Sequence, residues 1–322
     1  MAEWMMRLAV KLKGILEVWK SGPQFIYPNR RNYYIVLPLM RLFTLSLLLL
    51  TAACASLFGQ PSVTHWAAYY DDALPAEAFA EMDLVVFDRD HHPPLGALPP
   101  TTLRFAYLSI GELGPHHPVE RQVLRALHAI VSHNKSWKSE VIDPRSKAWR
   151  SMLVEAAHEA KAAGFQGLML DTVESPLAWA KTHLSAEEEA DVRRASIELI
   201  REIHAAEPEL LLMLNRGFDL LPELAADLHF ILAESILAET NVSAGQFHLF
   251  PADTYAQVAA QLRSAMALAP HLQVLTLDYW KQDDVHGLAH LYATQRAHGF
   301  APYVTTPDLR HFTPEPLPER AP

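Results

Sequence analysis

Near its centre the chain carries the segment Gly164-Phe165-Gln166-Gly167-Leu168-Met169-Leu170-Asp171. A glycine that follows a helical pattern ends the helix, because glycine readily adopts the left-handed backbone conformation found there. The apolar run after it is too short for a helix and fits a strand that is buried on both faces, as parallel sheets require. The segment therefore predicts a helix end, a turn and a buried strand that finishes in a carboxylate.

Seven further segments have the same strand-like composition. Together with 168–171 they make eight predicted strands. The seven are 65–70, 84–88, 103–110, 210–215, 230–234, 274–278 and 301–305. Helical patterns lie at 145–163, 185–206, 253–267 and 284–298. Eight buried strands separated by helices predict an α/β fold, a single (β/α)8 TIM barrel. The alternative is an open doubly wound sheet, which usually carries a glycine-rich first turn that this chain lacks.

Length and composition fit one globular domain with an N-terminal addition. The chain has 322 residues, of which 50% are hydrophobic and 20% are charged, whereas one barrel needs roughly 250 residues. The formal net charge of -10 argues against nucleic acid as a partner, because phosphate binding requires clustered lysine and arginine. An acidic cleft would instead attract a cationic polymer.

The N-terminal region has the pattern of an export signal. Arg41 precedes the short apolar run 42–50, and small residues lead from this run to Cys54, the only cysteine. The ending is similar to a bacterial lipobox, so we expect a lipid anchor on Cys54 and a membrane contact through it. Met40 directly precedes Arg41, which suggests that residues 1–39 come from a misassigned start; the alternative is a cytoplasmic segment before an uncleaved anchor. Both interpretations export the rest of the chain to the periplasm or the cell surface.

These patterns divide the chain into three regions. They are 1–54, the extension with the signal and lipobox; 60–312, the (β/α)8 domain; and 313–322, a proline-rich tail that we expect to be disordered. Segment 113–144 lacks a regular alternation of helix and strand, and so long a loop is unusual unless it shapes a site. We expect a helix at about 118–130, followed by a wall of the cleft.

Polar and aromatic side chains stand where the predicted strands end. In a barrel these ends face the active site, and acidic side chains are poorly suited to buried strands unless they are paired or functional. The candidate residues are Tyr69, Asp88, Glu112, Asp171, Asn215, Glu234, Asp278, Tyr279 and Trp280. Carboxylates, an amide and aromatic rings at one mouth are typical of a sugar-binding site.

Asp171 and Glu234 are the candidate catalytic pair. Hydrolysis of a glycosidic bond requires one protonated and one ionised carboxyl on opposite sides of the bond. One strand separates the two predicted strands, so their end residues can face each other across the mouth. Each has a structural alternative: Asp171 as the cap of the following helix, and Glu234 as an ion-pair partner of Arg216.

We expect the other seven candidates to bind substrate, although Glu112 and Asp278 fit structural hydrogen bonding equally well. No metal or other cofactor is expected. The pairs His91-His92 and His116-His117 have no matching carboxylate spacing, and a single cysteine excludes a thiolate zinc site.

Four motifs resemble one family of carbohydrate enzymes. They are Tyr107-Leu108-Ser109-Ile110-Gly111-Glu112, then 164–171, then Asn215-Arg216-Gly217, then Ala233-Glu234. They are similar to endo-α-1,4-polygalactosaminidase-like glycoside hydrolases, family 114 and relatives, and the resemblance runs from about Trp66 to Leu309. It implies a (β/α)8 barrel that cleaves galactosaminogalactan-type polymers, with Asp171 as nucleophile and Glu234 as acid/base.

The sequence thus predicts a monomeric, exported hydrolase of an amino-sugar polysaccharide, acting within the polymer chain. Two alternatives stay open at this point. One is a glycosidase acting on a different sugar, and the other is a barrel that binds polysaccharide during envelope or biofilm assembly without cleaving it.

Overall fold

The computed structural model describes residues 62–241 and 245–316. The predictions for the signal segment and for Cys54 lie outside these residues. Among the described residues, no helix is both long enough and apolar enough to cross a membrane.

Eight parallel strands form the barrel and confirm the predicted TM-barrel fold. In chain order they are β1 (Trp66–Tyr69), β2 (Leu84–Phe87), β3 (Leu103–Ser109), β7 (Gly167–Asp171), β8 (Leu211–Asn215), β9 (Phe230–Glu234), β12 (Gln273–Tyr279) and β13 (Ala301–Thr305). Each strand pairs with the next in this series. The indole of Trp66 in β1 donates to the carbonyl of Ala301 in β13 at 2.9 Å and bridges the seam between the first and last strands.

Short 3-10 helices follow the first two barrel strands, and α-helices follow the next five. The α-helices are α1 (Pro118–Ala126), α2 (Lys147–Ala163), α3 (Glu174–His183), α4 (Ala186–Ala206), α5 (Leu221–Leu224), α6 (Ala252–Leu268) and α7 (Val285–Ala297). Gly164 ends α2 with a φ of 102°, as predicted from the sequence. Ser185 and Glu188 form a capping box at the start of α4.

The barrel core is filled by large side chains from facing strands. Phe105 of β3 and Phe230 of β9 meet edge to face, with ring centroids 5.6 Å apart. Gly167 makes room for this pair, because a Cβ at that position would lie 2.4 Å from the Phe105 ring. Packing against Phe105 therefore requires the glycine at the start of β7.

Segment 113–144 differs from its prediction. The helix α1 ends at Ala126 rather than near 130, and a three-stranded antiparallel sheet accompanies it. Its strands are β4 (Glu112–Leu113), β5 (Ile130–Asn134) and β6 (Ser139–Ile142), in the spatial order β4-β6-β5. A second hairpin, β10 (Ala238–Asn241) and β11 (Gln246–Leu249), follows β9. Both additions come after the carboxyl ends of barrel strands and so lie on the face where barrel sites form.

The first residues of the proline-rich tail contact the barrel. The backbone amide of Thr313 donates to the hydroxyl of Tyr303 at 3.3 Å, and Arg296 of α7 forms an ion pair with Glu315. These contacts hold the first tail residues against the barrel, although the segment is rich in proline. Residues 317–322 lie outside the described part of the chain.

Candidate active site

Asp171, Asn215 and Glu234 meet at the carboxyl ends of the adjacent strands β7, β8 and β9. The side-chain Nδ2 of Asn215 donates to Oδ1 of Asp171 at 2.9 Å and to Oε2 of Glu234 at 2.6 Å. Since both oxygens bond the same nitrogen at these distances, they lie no more than 5.5 Å apart. The structure therefore brings the candidate catalytic pair together around one amide.

The backbone turns sharply after each of these three strands. Thr172, Arg216 and Ser235, which follow Asp171, Asn215 and Glu234 directly, have φ values of 66°, 56° and 50°. This left-handed conformation is unfavourable for residues other than glycine, and especially for a β-branched threonine. Three strained turns at consecutive strand ends indicate that the positions of the preceding side chains matter more than local stability.

Gly111 supports the turn at Thr172. Its amide donates to Oγ1 of Thr172 at 2.9 Å, and a Cβ on Gly111 would lie 2.1 Å from the Thr172 carbonyl oxygen. The Ser109 hydroxyl lies 2.8 Å from the same Oγ1. The close approach of two backbones at this point explains why a glycine follows β3.

Each carboxyl also has its own tyrosine. The hydroxyl of Tyr279 donates to Oε1 of Glu234 at 2.6 Å, and Tyr107 lies close enough to Asp171 for each to shift the pKa of the other. Tyr70 packs against Tyr107, with ring centroids 5.2 Å apart. Burial and the nearby carboxylates raise the pKa of all three tyrosines well above the ordinary value, so all three hydroxyls keep their protons at neutral pH.

Burial and the neighbouring charge of Glu234 raise the pKa of Asp171 to about 6, although hydrogen bonds from Asn215, Thr172 and Tyr107 oppose the shift. Two carboxyls that share one donor in a buried site resist being ionised together. The pair therefore holds a proton more readily than an isolated aspartate does.

The structural alternatives for the two acids do not match their contacts. Helix α3 starts after Val173, and no side chain caps it, so Asp171 is not its cap. Arg216 donates to the backbone carbonyl of Glu234 rather than to its carboxylate, and its guanidinium pairs with Glu174 at 2.8 Å. Both carboxyls are thus left to the shared amide and the tyrosines.

Three candidate substrate-binding residues are placed elsewhere. Tyr69 is fully buried, packs against Phe79 and accepts a hydrogen bond from the amide of Leu74. The carboxylate of Glu112 is enclosed by polar side chains of the small sheet and α3. The carboxylate of Asp278 accepts from the amides of Leu237 and Ala238 and from the side chain of Gln295. In all three residues the side-chain polar group makes hydrogen bonds within the protein.

The remaining two candidates lie near the mouth without touching the carboxyl pair. Oδ1 of Asp88 accepts from the amides of Asp90 and His91, while its charge acts on the hydroxyl of Tyr70. Trp280 donates to Oδ2 of Asp284 at 2.9 Å and packs against Phe247 of β11. Of the predicted set, the structure therefore brings together Asp171, Asn215, Glu234 and Tyr279.

Sequence reasoning missed Tyr70 and Tyr107. Alternation along a strand would have pointed to Tyr107, since it lies two residues before Ser109, which pairs in register with Asp171. Tyr70 is one residue beyond the predicted Tyr69, and a shift of one position moves a side chain to the opposite face. Among the described residues, no group of three or more His, Cys, Asp or Glu side chains is arranged to hold a metal ion.

Comparison with known proteins gives a consistent result. The profile of the family described as "Glycoside-hydrolase family GH114" matches residues 49–316. The solved glycoside hydrolase domain of PelA from Pseudomonas aeruginosa is similar with a TM-score of 0.70 and 29% identity, covering 79% of this chain and 99% of that one. Ega3 from Aspergillus fumigatus, solved in complex with galactosamine, shares the fold with a TM-score of 0.57 and 14% identity, covering 78% of this chain and 95% of that one. No curated protein sequence matches the chain.

Proposed function

The chain belongs to glycoside-hydrolase family GH114, and we propose that it cleaves an amino-sugar polysaccharide with Asp171 and Glu234 as its two working carboxyls. The observation that carries this proposal is the shared amide of Asn215, which holds both carboxyls at one barrel mouth. Its position at the ends of adjacent strands is where barrel enzymes carry their chemistry. The glycoside hydrolase class follows from the family, and the residues and substrate are our proposal.

The spacing of the pair supports a mechanism that retains configuration. Retaining enzymes place their carboxyls about 5–5.5 Å apart, whereas inverting enzymes need about 6.5–9.5 Å to admit a water molecule. The Asn215 contacts hold one oxygen of each carboxyl within 5.5 Å of the other, closer than the spacing that inverting enzymes need. We therefore propose two successive displacements at the anomeric carbon.

In the first displacement Asp171 attacks the anomeric carbon while Glu234 donates its proton to the departing glycosidic oxygen. The bond to the leaving sugar breaks and an ester between Asp171 and the remaining chain forms. In the second, Glu234 takes a proton from water, the water oxygen attacks the anomeric carbon and Asp171 leaves. Glu234 is then protonated again, so atoms and charges balance over the cycle.

The raised pKa of Asp171, about 6, sets the conditions for this assignment. A nucleophile must be ionised, so Asp171 is competent when the pH lies above its pKa. Tyr107 and Asn215 stabilise the ionised form by hydrogen bonding and oppose the effect of burial. At neutral pH, above this pKa, Asp171 is mostly ionised, as the proposed nucleophile must be.

An amino-sugar substrate is supported by charge and by similarity. The chain has a net charge of -10, and Asp88, Asp171 and Glu234 all act on the Tyr70 hydroxyl at the mouth. An acidic cleft of this kind attracts a polymer that carries ammonium groups. The related fold of Ega3 was solved with galactosamine bound, and we propose that the present chain cleaves a galactosamine-containing polymer internally.

The test compares the wild type with Asp171→Asn and Glu234→Gln on acetylated and deacetylated galactosamine polymers, with new reducing ends as the readout. Both variants should lose at least about 10³-fold in activity, since removal of a nucleophile or general acid costs this much or more. Glu198→Gln, a change to a solvent-exposed carboxylate, is the matched control. Wild-type turnover by either site variant would remove the assignment, and binding without cleavage by the wild type would favour a polysaccharide-binding role.

A further inference from the structure

A tryptophan is exposed at the tip of the β5–β6 hairpin. The side chain of Trp137 is 70% exposed, and its neighbours Lys135, Ser136 and Lys138 are exposed as well. Lys138 has a φ of 55°, which closes the tight turn between the two strands. An exposed indole offers a flat apolar face and an N–H donor, and tryptophan is enriched at binding interfaces for this reason.

The base of this hairpin is held by one buried carboxylate. Glu112 is only 5% exposed. It accepts hydrogen bonds from Asn134 of β5, at 3.1 Å, and from the hydroxyl of Ser139 of β6. These two residues stand immediately on either side of the turn. The carboxylate therefore clamps both strands at the point where the tip begins.

The same carboxylate connects the hairpin to the candidate active site. The hydroxyl of Ser175 also donates to Glu112, and Ser175 lies in the first turn of α3, four residues after Asp171. The Oδ1 of Asn134 accepts from the amide of Ser136 at 3.2 Å, so the clamp extends to the residue before Trp137. A fully satisfied buried network of this kind fixes geometry. The hairpin tip that carries Trp137 is thus tied to helix α3, which begins three residues after Asp171.

From this arrangement we propose that Trp137 is an outlying sugar-binding platform for the polysaccharide chain, and that Glu112 is the residue that positions it. The apolar face of an N-acetylated pyranose ring would stack on the indole, because Lys135 and Lys138 beside it repel a ring that carries an ammonium group, while the chain continues into the mouth at Asp171. The proposal rests on the proposed function and adds a subsite beyond the cleavage point. It also gives Glu112 a role that its enclosure within the protein otherwise leaves unexplained.

The test measures retention by galactosamine polymer in native affinity gels, with Asp171→Asn as the background so that substrate is not consumed. Adding Trp137→Ala should weaken retention roughly five- to tenfold, whereas Trp137→Phe should retain most of it, because an aromatic face remains. The loss should be larger for the polymer than for a trisaccharide. Val119→Ala removes another exposed apolar side chain, 69% exposed on α1, and should change nothing.

Glu112→Gln tests the positioning role while keeping the shape of the side chain. It should weaken polymer retention. In combination with Trp137→Ala it should weaken retention little further, because Glu112 is proposed to affect binding only through the position of Trp137. A purely structural role would give additive losses and a lower Tm, without any dependence on Trp137. Such additivity would overturn the positioning role.

The remaining outcomes separate this proposal from the proposed function. If the Asp171→Asn protein binds polymer and Trp137→Ala does not weaken it, the platform is refuted and the proposed function stands. If the Asp171→Asn protein binds no polymer and the wild type releases no reducing ends, both fail. Because two lysines flank Trp137, binding to vesicles with anionic lipid is measured in parallel. Loss of vesicle binding with unchanged polymer retention would assign the tip to a membrane surface and overturn the platform.

Discussion

The carboxyls of Asp171 and Glu234 share one hydrogen-bond donor, the Nδ2 of Asn215, at 2.9 and 2.6 Å. Neither carboxyl can move away from the other without breaking a bond to this amide. The amide in turn is fixed at the end of β8, between the two strands that carry the acids. The separation of the pair is therefore a property of the barrel rather than of substrate binding.

Removal of the shared donor should impair catalysis without unfolding the barrel. We expect Asn215→Ala to lower kcat by about 10²-fold, a typical loss for one oriented polar group in an active site. The hydrogen bond from Asn215 opposes the rise in the pKa of Asp171, so its loss should move the acid limb of the pH–rate profile to higher pH. An unchanged limb would show that this amide does not control the ionisation of Asp171.

The pH–rate profile also distinguishes the roles of the two acids. With Asp171 as nucleophile, activity should fall on the acid side with a midpoint near its pKa of about 6. If Asp171 were instead the proton donor, activity would fall as the pH rises above about 6, because a donor must be protonated. Recording kcat/KM between about pH 4 and pH 9 on a soluble oligomer decides between these cases.

Asp171→Asn should stabilise the protein at neutral pH while it abolishes turnover. The pKa of Asp171 is about 6 in the fold, above ~3.9 in an unfolded chain. The folded state therefore binds more protons, and stability falls as the pH rises from about 4 to about 6. The neutral asparagine avoids this loss, which is about 1–3 kcal/mol at pH 7. Thermal unfolding should show a higher Tm for the variant at pH 7 and a difference that shrinks towards pH 4.

We expect Tyr279 and Tyr107 to position the two carboxyls. Loss of either hydroxyl should therefore lower activity more than loss of the hydroxyl of a buried tyrosine outside the site. Tyr279→Phe removes the 2.6 Å hydrogen bond to Glu234, and we expect a roughly tenfold or greater fall in kcat with a smaller change in KM. Tyr107→Phe removes a donor that lowers the pKa of Asp171, so its acid limb should move to higher pH. Tyr69→Phe is the matched control, because Tyr69 is buried in β1 and packs against Phe79 rather than against either carboxyl. Equal losses in all three variants would indicate a packing effect only.

The barrel, and the positions of Asp171 and Glu234 at strand ends, could be predicted from sequence because both depend on local patterns. Apolar runs such as 168–170 are visible without a structure, and so is a carboxylate at a strand end. The hydrogen bonds of Glu112 and Asp278 could not be predicted, because their partners come from distant segments. Examples are Ser175 for Glu112 and Gln295 for Asp278. Tyr70 was missed for Tyr69 because a strand boundary is uncertain by a residue, and one residue reverses the face.

The small sheet was missed for a different reason. The strand β4 has only two residues, Glu112–Leu113, and it pairs with β6 across almost thirty intervening positions. Two-residue strands have no periodicity to detect. The hydrogen bonds of Glu112 that stabilise the hairpin become visible only once the three strands are in register.

The most direct test of the central claim is to identify the residue that becomes covalently attached to substrate. The enzyme would be incubated with an activated fluorinated galactosaminyl donor that slows the second displacement, then digested and analysed by peptide mass spectrometry. A glycosyl adduct on the peptide at Asp171, absent from Asp171→Asn, is the expected result. An adduct on Glu234, or free product of inverted configuration with no adduct, would contradict a retaining mechanism with Asp171 as nucleophile.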